Sequence, residues 1–123
     1  MSQQPTKEAH LHIRARLFYG EEIAIGPGKV DLLAAIAEKG SISAAAKYMN
    51  MSYRRAWLLV DTMNRCFKEP LVISTAGGKQ GGGAQLSPLG LEMLKNYRAL
   101  TSALEHTAAQ YVEELQKNLL QQE

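Results

Sequence analysis

The fold is decided by residues 41–67, which read SISAAAKYMNMSYRRAWLLVDTMNRCF. The first part predicts a short helix over Ile42–Met49, in which three consecutive alanines allow another helix to approach closely. Asn50 follows, and asparagine tolerates the left-handed conformation of a tight turn better than most residues. A third helix is expected over Tyr53–Phe67. Two helices joined by about three residues are typical of a helix-turn-helix.

The second helix of this pair is capped, amphipathic and basic at its start. Ser52 precedes it as an N-cap, and Ser41 or Ser43 can cap the helix before it. Arg54 and Arg55 lie in its first turn. Its apolar stripe at helical spacing consists of Ala56, Leu59, Val60, Met63 and Phe67.

The segment that follows predicts a wing. Pro70 prevents the helix from continuing, and Leu71–Ile73 is a β-rich run. Residues 77–83, GGKQGGG, are expected to lack regular structure and to form a flexible basic tip. Ala84–Leu86 is then a return strand. The Gly-Gly-Lys stretch does not match a phosphate-binding P-loop, because Lys79 is followed by Gln rather than Ser or Thr.

Before the helix-turn-helix we expect a hairpin and a first helix. Leu11–Leu17 alternates apolar and polar residues, as in a strand with one buried face, and Ile23–Ile25 alternates again after Gly20. A helix is expected over Lys29–Lys39, ended by Gly40. Its predicted inner face consists of Val30, Leu33, Ala34 and Ala37.

The end of the chain predicts one long helix. Ser87 and Pro88 are a cap and a first helical residue, and a helix from there to about Leu120 would be roughly 50 Å long. A small domain cannot bury so long an apolar stripe, so a second copy of the chain is the expected partner. The expected dimerisation seam is Leu94, Tyr97, Thr101, Leu104, Ala108, Tyr111 and Leu115.

The fold class that results is mainly α with small β. It comprises a winged helix-turn-helix domain over residues 1–87 and a long dimerisation helix over residues 88–123. A length of 123 residues fits one modest core. The net charge is only +2, but residues 39–79 carry seven basic and two acidic side chains. Charge concentrated in the middle of the chain favours a polyanionic partner.

Neither a secretory signal nor an apolar run long enough for a membrane span is expected. Cys66 is a single cysteine and fits a reducing compartment, so we expect a cytoplasmic protein. Cys66 itself is expected to be a thiol in the core. His10 and His12 are expected to be solvated, with no metal bound.

Three motifs together resemble the ModE family of molybdate-responsive transcriptional regulators. They are residues 40–47, GSISAAAK; residues 52–57, SYRRAW, with Met63-Asn64; and Pro70-Leu71-Val72 followed by residues 77–84, GGKQGGGA. The resemblance implies duplex DNA binding and dimerisation. Full-length members of that family carry C-terminal molybdate-binding domains, but no further strands follow the long helix here. We therefore expect no cofactor and no molybdate site on this chain.

A helix-turn-helix places the start of its recognition helix against base edges. We expect Arg54 and Arg55 to contact bases or phosphates, since arginine can bind guanine O6 and N7 through two parallel hydrogen bonds. Trp57 is expected to close the core rather than stack on a base. The full set of expected DNA contacts is Ser43, Lys47, Ser52, Tyr53, Arg54, Arg55, Leu58, Lys79 and Gln80.

These patterns leave open other interpretations in which the same residues have no role in DNA binding. Arg54 and Arg55 can be a solvated face, Asp61 and Arg65 can simply pair with each other, and the glycine-rich segment can be a linker loop. The whole scaffold can also be a protein-interaction module that reads no DNA. A third hypothesis is an enzyme or a molybdate sensor, although the sequence offers few catalytic constellations.

Overall fold

A computed structural model describes residues 8–78 and 81–120. The protein is mainly helical with two small antiparallel sheets, as the sequence predicts. In chain order the elements are β1 (Leu17–Tyr19), β2 (Glu22–Ile25), α1 (Pro27–Lys39), α2 (Ile42–Tyr48), α3 (Tyr53–Cys66), β3 (Val72–Gly78), β4 (Gly81–Leu86) and α4 (Pro88–Lys117).

The core lies where α1, α2 and α3 meet and extends to the base of the wing. Its largest fully buried side chains are Leu32, Leu33, Ile36, Met63 and Leu71. Val72 and Leu86 from the wing strands and Leu94 from α4 join the same cluster. The wing and the long helix are therefore built onto the three-helix core, which fixes where the wing begins relative to α3.

The predicted caps and turn are confirmed. The Ser41 hydroxyl accepts a hydrogen bond from Ala44 N at 3.0 Å, so Ser41 rather than Ser43 caps α2. Ser52 caps α3 by accepting from Arg55 N at 3.1 Å. Asn50 has a φ of 57°, the left-handed conformation expected for the turn between them.

The first helix starts earlier than predicted, and its inner face is rotated. Pro27 occupies its first turn, and the helix ends at Gly40 with a φ of 83°. Ala37 is exposed, which corrects its predicted place in the core. Because α2, α3, α4 and β4 all contact α1, the buried face is broad; it consists of Val30, Leu32, Leu33, Ala35 and Ile36.

The prediction that the glycine-rich segment lacks regular structure is wrong. The strands β3 and β4 continue through the glycines, with Gly78 opposite Gly81 and an irregular register between Thr75 and Gly78. Ladder hydrogen bonds join backbone groups, so a strand without side chains can still be paired. Lys79 and Gln80, the expected wing contacts, lie outside the described residues.

The N-terminal strand is much shorter than the alternation predicts. Only Leu17–Tyr19 pairs with β2, while residues 8–16 have no strand pairing and lie along α4. The Tyr97 hydroxyl donates to the Ala15 carbonyl at 2.8 Å, and the Gln116 side chain donates to the Ala9 carbonyl at 3.4 Å. A helix, rather than a second strand, is the surface that receives this segment.

The long helix ends at Lys117 and begins at the predicted cap, where the Ser87 hydroxyl accepts from Gly90 N at 2.9 Å. The residues of the expected dimerisation seam differ in how far they are exposed. Leu94 is buried in the core of the chain, which corrects its expected availability for a dimer contact. Tyr97, Thr101, Leu104 and Ala108 are half-buried, and Tyr111 and Leu115 are exposed.

Candidate nucleic-acid interface

The helix α3 presents two arginines to solvent. Ala56, Val60 and Met63 anchor it in the core, and this orientation leaves Arg54 and Arg55 on the exposed side. Across residues 8–78 and 81–120, neither guanidinium forms an ion pair. The N-terminus of a capped helix also attracts negative charge. This face can therefore receive phosphates or the edges of bases.

A second basic group lies beside the arginines. Burial is the main cause that lowers the pKa of Lys29, in the first turn of α1. Glu22 and Cys66 act in the opposite direction, and the positive charge of Arg55 lowers the pKa slightly further. Lys29 is thus a half-buried basic group that lies near both Arg55 and the acidic Glu22.

A groove of about 600 Å³ separates α3 from the wing. Tyr53 and Trp57 form one wall and remain 55% and 46% exposed. The prediction that Trp57 closes the core is wrong, because its position on α3 turns it toward the wing strands. Hydroxyl groups of Ser41, Ser43 and Ser74 line the same groove. The lining thus offers hydrogen-bond donors and aromatic faces to a bound strand.

The structure places two of the expected contact residues in the groove and leaves others exposed on α2 and α3. Ser43 and Tyr53 line the groove. Leu58 is exposed on α3, and Lys47 is exposed near the end of α2. The Ser52 oxygen accepts from Arg55 N as a helix cap, so only its hydroxyl proton remains to be donated.

Asn64 fixes the wing to the recognition helix, a role that the sequence analysis missed. Its side-chain oxygen accepts from the Leu71 and Val72 amides at 2.8 and 3.2 Å, and its amide donates to the Val72 carbonyl at 3.1 Å. Asparagine is a poor residue for a helix interior because its side chain competes for backbone groups. Asn64 lies in the last turn of α3, and this mismatch is the feature of the sequence that could have indicated its role.

The wing is also fixed to the turn between α1 and α2. Ala84 N donates to the Gly40 carbonyl at 2.9 Å. A Cβ at Gly83 would lie 2.7 Å from Thr75 Oγ1 and 2.9 Å from the Gly40 oxygen, so glycine is needed for this approach. The wing base is thus attached at two places, and its position relative to α3 is set before any ligand arrives.

Arg65, at the other end of α3, is occupied by carboxylates. Its Nη1 donates to both Glu22 oxygens at 2.9 and 3.0 Å, and its Nε donates to Asp61 at 3.0 Å. The pairing with Asp61 confirms the sequence-based alternative, and Glu22 of β2 is an additional partner. Hydrogen bonding to Arg65 lowers the pKa of Glu22.

Cys66 lies next to this ion pair rather than in the core. It is half-buried, with Sγ 3.6 Å from Glu22 Oε2. Burial is the largest cause that raises the pKa of its thiol, and the Glu22 carboxylate adds to the effect. A thiol with a raised pKa is a weak nucleophile at neutral pH, which does not favour a reactive role.

The described residues offer no metal site and no membrane span. No group of three or more His, Cys, Asp or Glu side chains is placed to hold an ion in residues 8–78 and 81–120. His10 and His12 are exposed. None of the helices in that part of the chain is both long and apolar enough to cross a bilayer.

Comparison with known proteins places this geometry in a family. Residues 28–91, which run from α1 through the wing into the first turn of α4, match the family described as bacterial regulatory helix-turn-helix protein, lysR family. This match covers the three helices, the groove and the base of the wing.

Curated relatives carry names that concern molybdenum and transcription. The chain is 48% identical over 77 residues to the molybdenum transport protein ModE of Azotobacter vinelandii, covering 63% of this chain and 28% of that protein. It is 44% identical over 80 residues to the molybdenum-pterin-binding protein MopB of Rhodobacter capsulatus, with coverages of 65% and 30%. The DNA-binding transcriptional dual regulator ModE of Escherichia coli K12 is 38% identical over 80 residues, with the same coverages. The chain thus matches about a third of the length of these relatives, and the resemblance to ModE proteins is confirmed.

Solved structures share the fold at low sequence identity. A CbnR DBD–DNA complex has a TM-score of 0.55 at 17% identity, over 72% of this chain and 95% of that one. The full-length regulator LysG of Corynebacterium glutamicum, with bound arginine, also has a TM-score of 0.55, at 20% identity, over 78% of this chain and 31% of that one. These similarities support the winged-helix architecture.

Proposed function

Because the chain belongs to the lysR family of bacterial regulatory helix-turn-helix proteins, we propose that it is a sequence-specific duplex DNA-binding transcriptional regulator of the ModE type. The observation that carries this proposal is the pair of exposed arginines in the first turn of a capped α3, which form no ion pair with any residue in 8–78 or 81–120. Relatives named as transcriptional regulators support it.

In the proposed complex, the start of α3 enters a major groove. Arg54 and Arg55 then meet base edges or phosphates. The groove between α3 and the wing receives the sugar–phosphate backbone, with Tyr53 and Trp57 against the sugars and serine hydroxyls donating to phosphates. We propose that Lys79, which follows β3 in the sequence, neutralises a further phosphate and that the adjacent Gln80 also contacts the DNA.

The proposal includes a division of the chain into two parts. Residues 1–87 bind DNA, and residues 88–123 join two copies through α4. We propose a cytoplasmic protein that acts as a regulator rather than as an enzyme. The binding of molybdate is not assigned to this chain, because its similarity to the ModE proteins covers about a third of their length.

Selection of bound duplexes from a random pool tests the proposal. We expect recovery of a short motif in two inverted copies, with centres about 34 Å apart or a longer multiple of the helical turn, because a two-fold dimer reads a symmetric site. Gel shifts on the recovered duplex at low and physiological salt measure the specificity ratio. Failure to shift any duplex at low salt would reject DNA binding and favour a protein-interaction module instead.

A further inference from the structure

One apolar side chain lies at the centre of the outward face of α3. Leu58 is 46% exposed and is not part of the core cluster. It stands on the same side of the helix as Arg54, one turn before it, and Arg65, two turns after it. A single exposed leucine needs no explanation by itself, but the state of the residues around this one gives it a meaning.

The polar groups that follow Leu58 on this face are engaged with one another. Thr62 Oγ1 donates to the Leu58 carbonyl at 3.0 Å, and Arg65 Nε donates to Asp61 at 3.0 Å. Arg65 is held in addition by the carboxylate of Glu22. The second half of the outward face is therefore committed to contacts within the protein.

Three side chains remain for base edges at the start of this face. Arg54 and Arg55 form no ion pair with any residue in the part of the chain that the structure describes, and Leu58 has no polar group to pair. Tyr53 and Trp57 are turned to one side, where they line the groove beside the wing, and Leu58 is not part of that lining. Because the start of a recognition helix meets the bases, Leu58 is the apolar side chain that a major groove would face.

We propose that Leu58 determines sequence specificity by contacting the C5 methyl group of a thymine in the major groove. This inference rests on the proposed function, which it deepens by naming a base that α3 reads. Thymine is the base that presents a methyl group there, whereas the other base edges present hydrogen-bond donors and acceptors. A leucine against those polar groups would exclude water from them without replacing its hydrogen bonds, which disfavours the other bases.

The position of Leu58 relative to Arg54 limits where the thymine lies. Four residues of an α-helix rise about 6 Å, and successive base pairs are about 3.4 Å apart along the duplex. A thymine contacted by Leu58 therefore lies within about two base pairs of a base contacted by Arg54. Where Arg54 binds guanine, the selected half-site should hold a guanine and a thymine at that separation.

Replacement of thymine by uracil tests the contact, because uracil lacks only the C5 methyl group. Each thymine of the duplex recovered by selection is replaced in turn, at the same position of both half-sites, and fluorescence anisotropy measures binding by the full chain. We expect replacement at one position to weaken wild-type binding about four-fold per half-site, as the burial of one methyl-sized group predicts. Replacement of the other thymines should have smaller effects.

The Leu58→Ala variant shows whether this methyl group meets Leu58. It should bind the thymine duplex about as weakly as the wild-type protein binds the uracil duplex, and it should lose most of its sensitivity to the replacement. Leu91→Ala is the matched control, because Leu91 on α4 is 55% exposed and lies outside α3; it should keep the full sensitivity. Circular dichroism should show both variants folded, since neither side chain is buried.

The reading of thymine by Leu58 and the proposed function fail separately. If no uracil replacement weakens wild-type binding, or if Leu58→Ala stays as sensitive as the wild-type protein, the reading by Leu58 is overturned while specific DNA binding stands. A protein that binds no duplex even at low salt would instead reject the proposed function, and the reading by Leu58 with it.

Discussion

Asn64 holds Val72 by both of its backbone groups, with the Val72 amide 3.2 Å from the side-chain oxygen and the Val72 carbonyl 3.1 Å from the side-chain nitrogen. This is the pairing that a neighbouring strand would otherwise provide. It lets a single side chain of α3 fix the first residue of β3. Asn64 is therefore one of two attachments that position the wing, together with the hydrogen bond from Ala84 N to the Gly40 carbonyl.

Loss of this clamp should destabilise the protein. We expect Asn64→Ala to lower the free energy of unfolding by about 2 kcal/mol, because it leaves partly buried backbone groups without partners. Urea unfolding followed by circular dichroism measures the change. Asn64→Asp retains oxygens that can accept from the Leu71 and Val72 amides but loses the donor. It should therefore lower the free energy of unfolding by less than Asn64→Ala. An unchanged unfolding midpoint in Asn64→Ala would show that the clamp contributes nothing.

The close contact between α4 and the start of the wing gives a second prediction. A Cβ at Gly90 would overlap the carbonyl oxygen of Leu71, so we expect Gly90→Ala to cost roughly 1–3 kcal/mol of stability through forced backbone shifts. Gly28→Ala is the matched control, because nothing lies within 4 Å of a Cβ there. It should be neutral or slightly stabilising in a helix. Equal melting temperatures for the two variants would contradict this account.

What the sequence predicted correctly was local. Ser41, Ser52 and Ser87 cap the helices that follow them, and Asn50 makes the turn, because each acts on groups within a few residues. What it missed depends on partners far along the chain. Trp57 lies in the groove because β3 and β4 pack beside α3 and not over it. Periodicity shows which residues share a face, but it does not show which element arrives to cover that face.

The Glu22–Arg65 pair predicts a dependence of stability on acid. The pKa of Glu22 in the folded protein is lowered, chiefly by its hydrogen bond to Arg65. The ionised Glu22 therefore contributes fully to folding stability above its ordinary pKa near 4.5. This stabilisation is lost as the pH falls through the lower pKa that Glu22 has in the folded protein. Glu22→Gln should unfold with a shallower acid dependence below about pH 5 in urea titrations. Glu21→Gln, one residue away, is the control, and equally shallow curves for both variants would contradict the assignment.

The proposed contact of Lys79 with a phosphate predicts how DNA binding depends on salt concentration. If Lys79 neutralises one phosphate, Lys79→Ala should weaken binding to all duplexes alike and reduce the slope of log K against log salt by about one unit. Fluorescence anisotropy on the selected duplex and on a scrambled one, between low and physiological salt, measures both effects. An unaltered slope would remove Lys79 from the interface.

The recognition helix offers an internal comparison between free and occupied arginines. Arg54 and Arg55 are exposed, whereas Arg65 is bound by Glu22 and Asp61 on the same helix. Arg54→Ala and Arg55→Ala should each weaken binding to the selected duplex by roughly 1–3 kcal/mol, with relaxed sequence preference wherever the lost arginine had read a base. Arg65→Ala removes the same charge farther from the helix start and should cost less affinity. All three variants change the net charge equally, so an equal loss of DNA affinity in each would mean that only the overall positive charge matters. Full affinity in both Arg54→Ala and Arg55→Ala would remove α3 from the DNA interface.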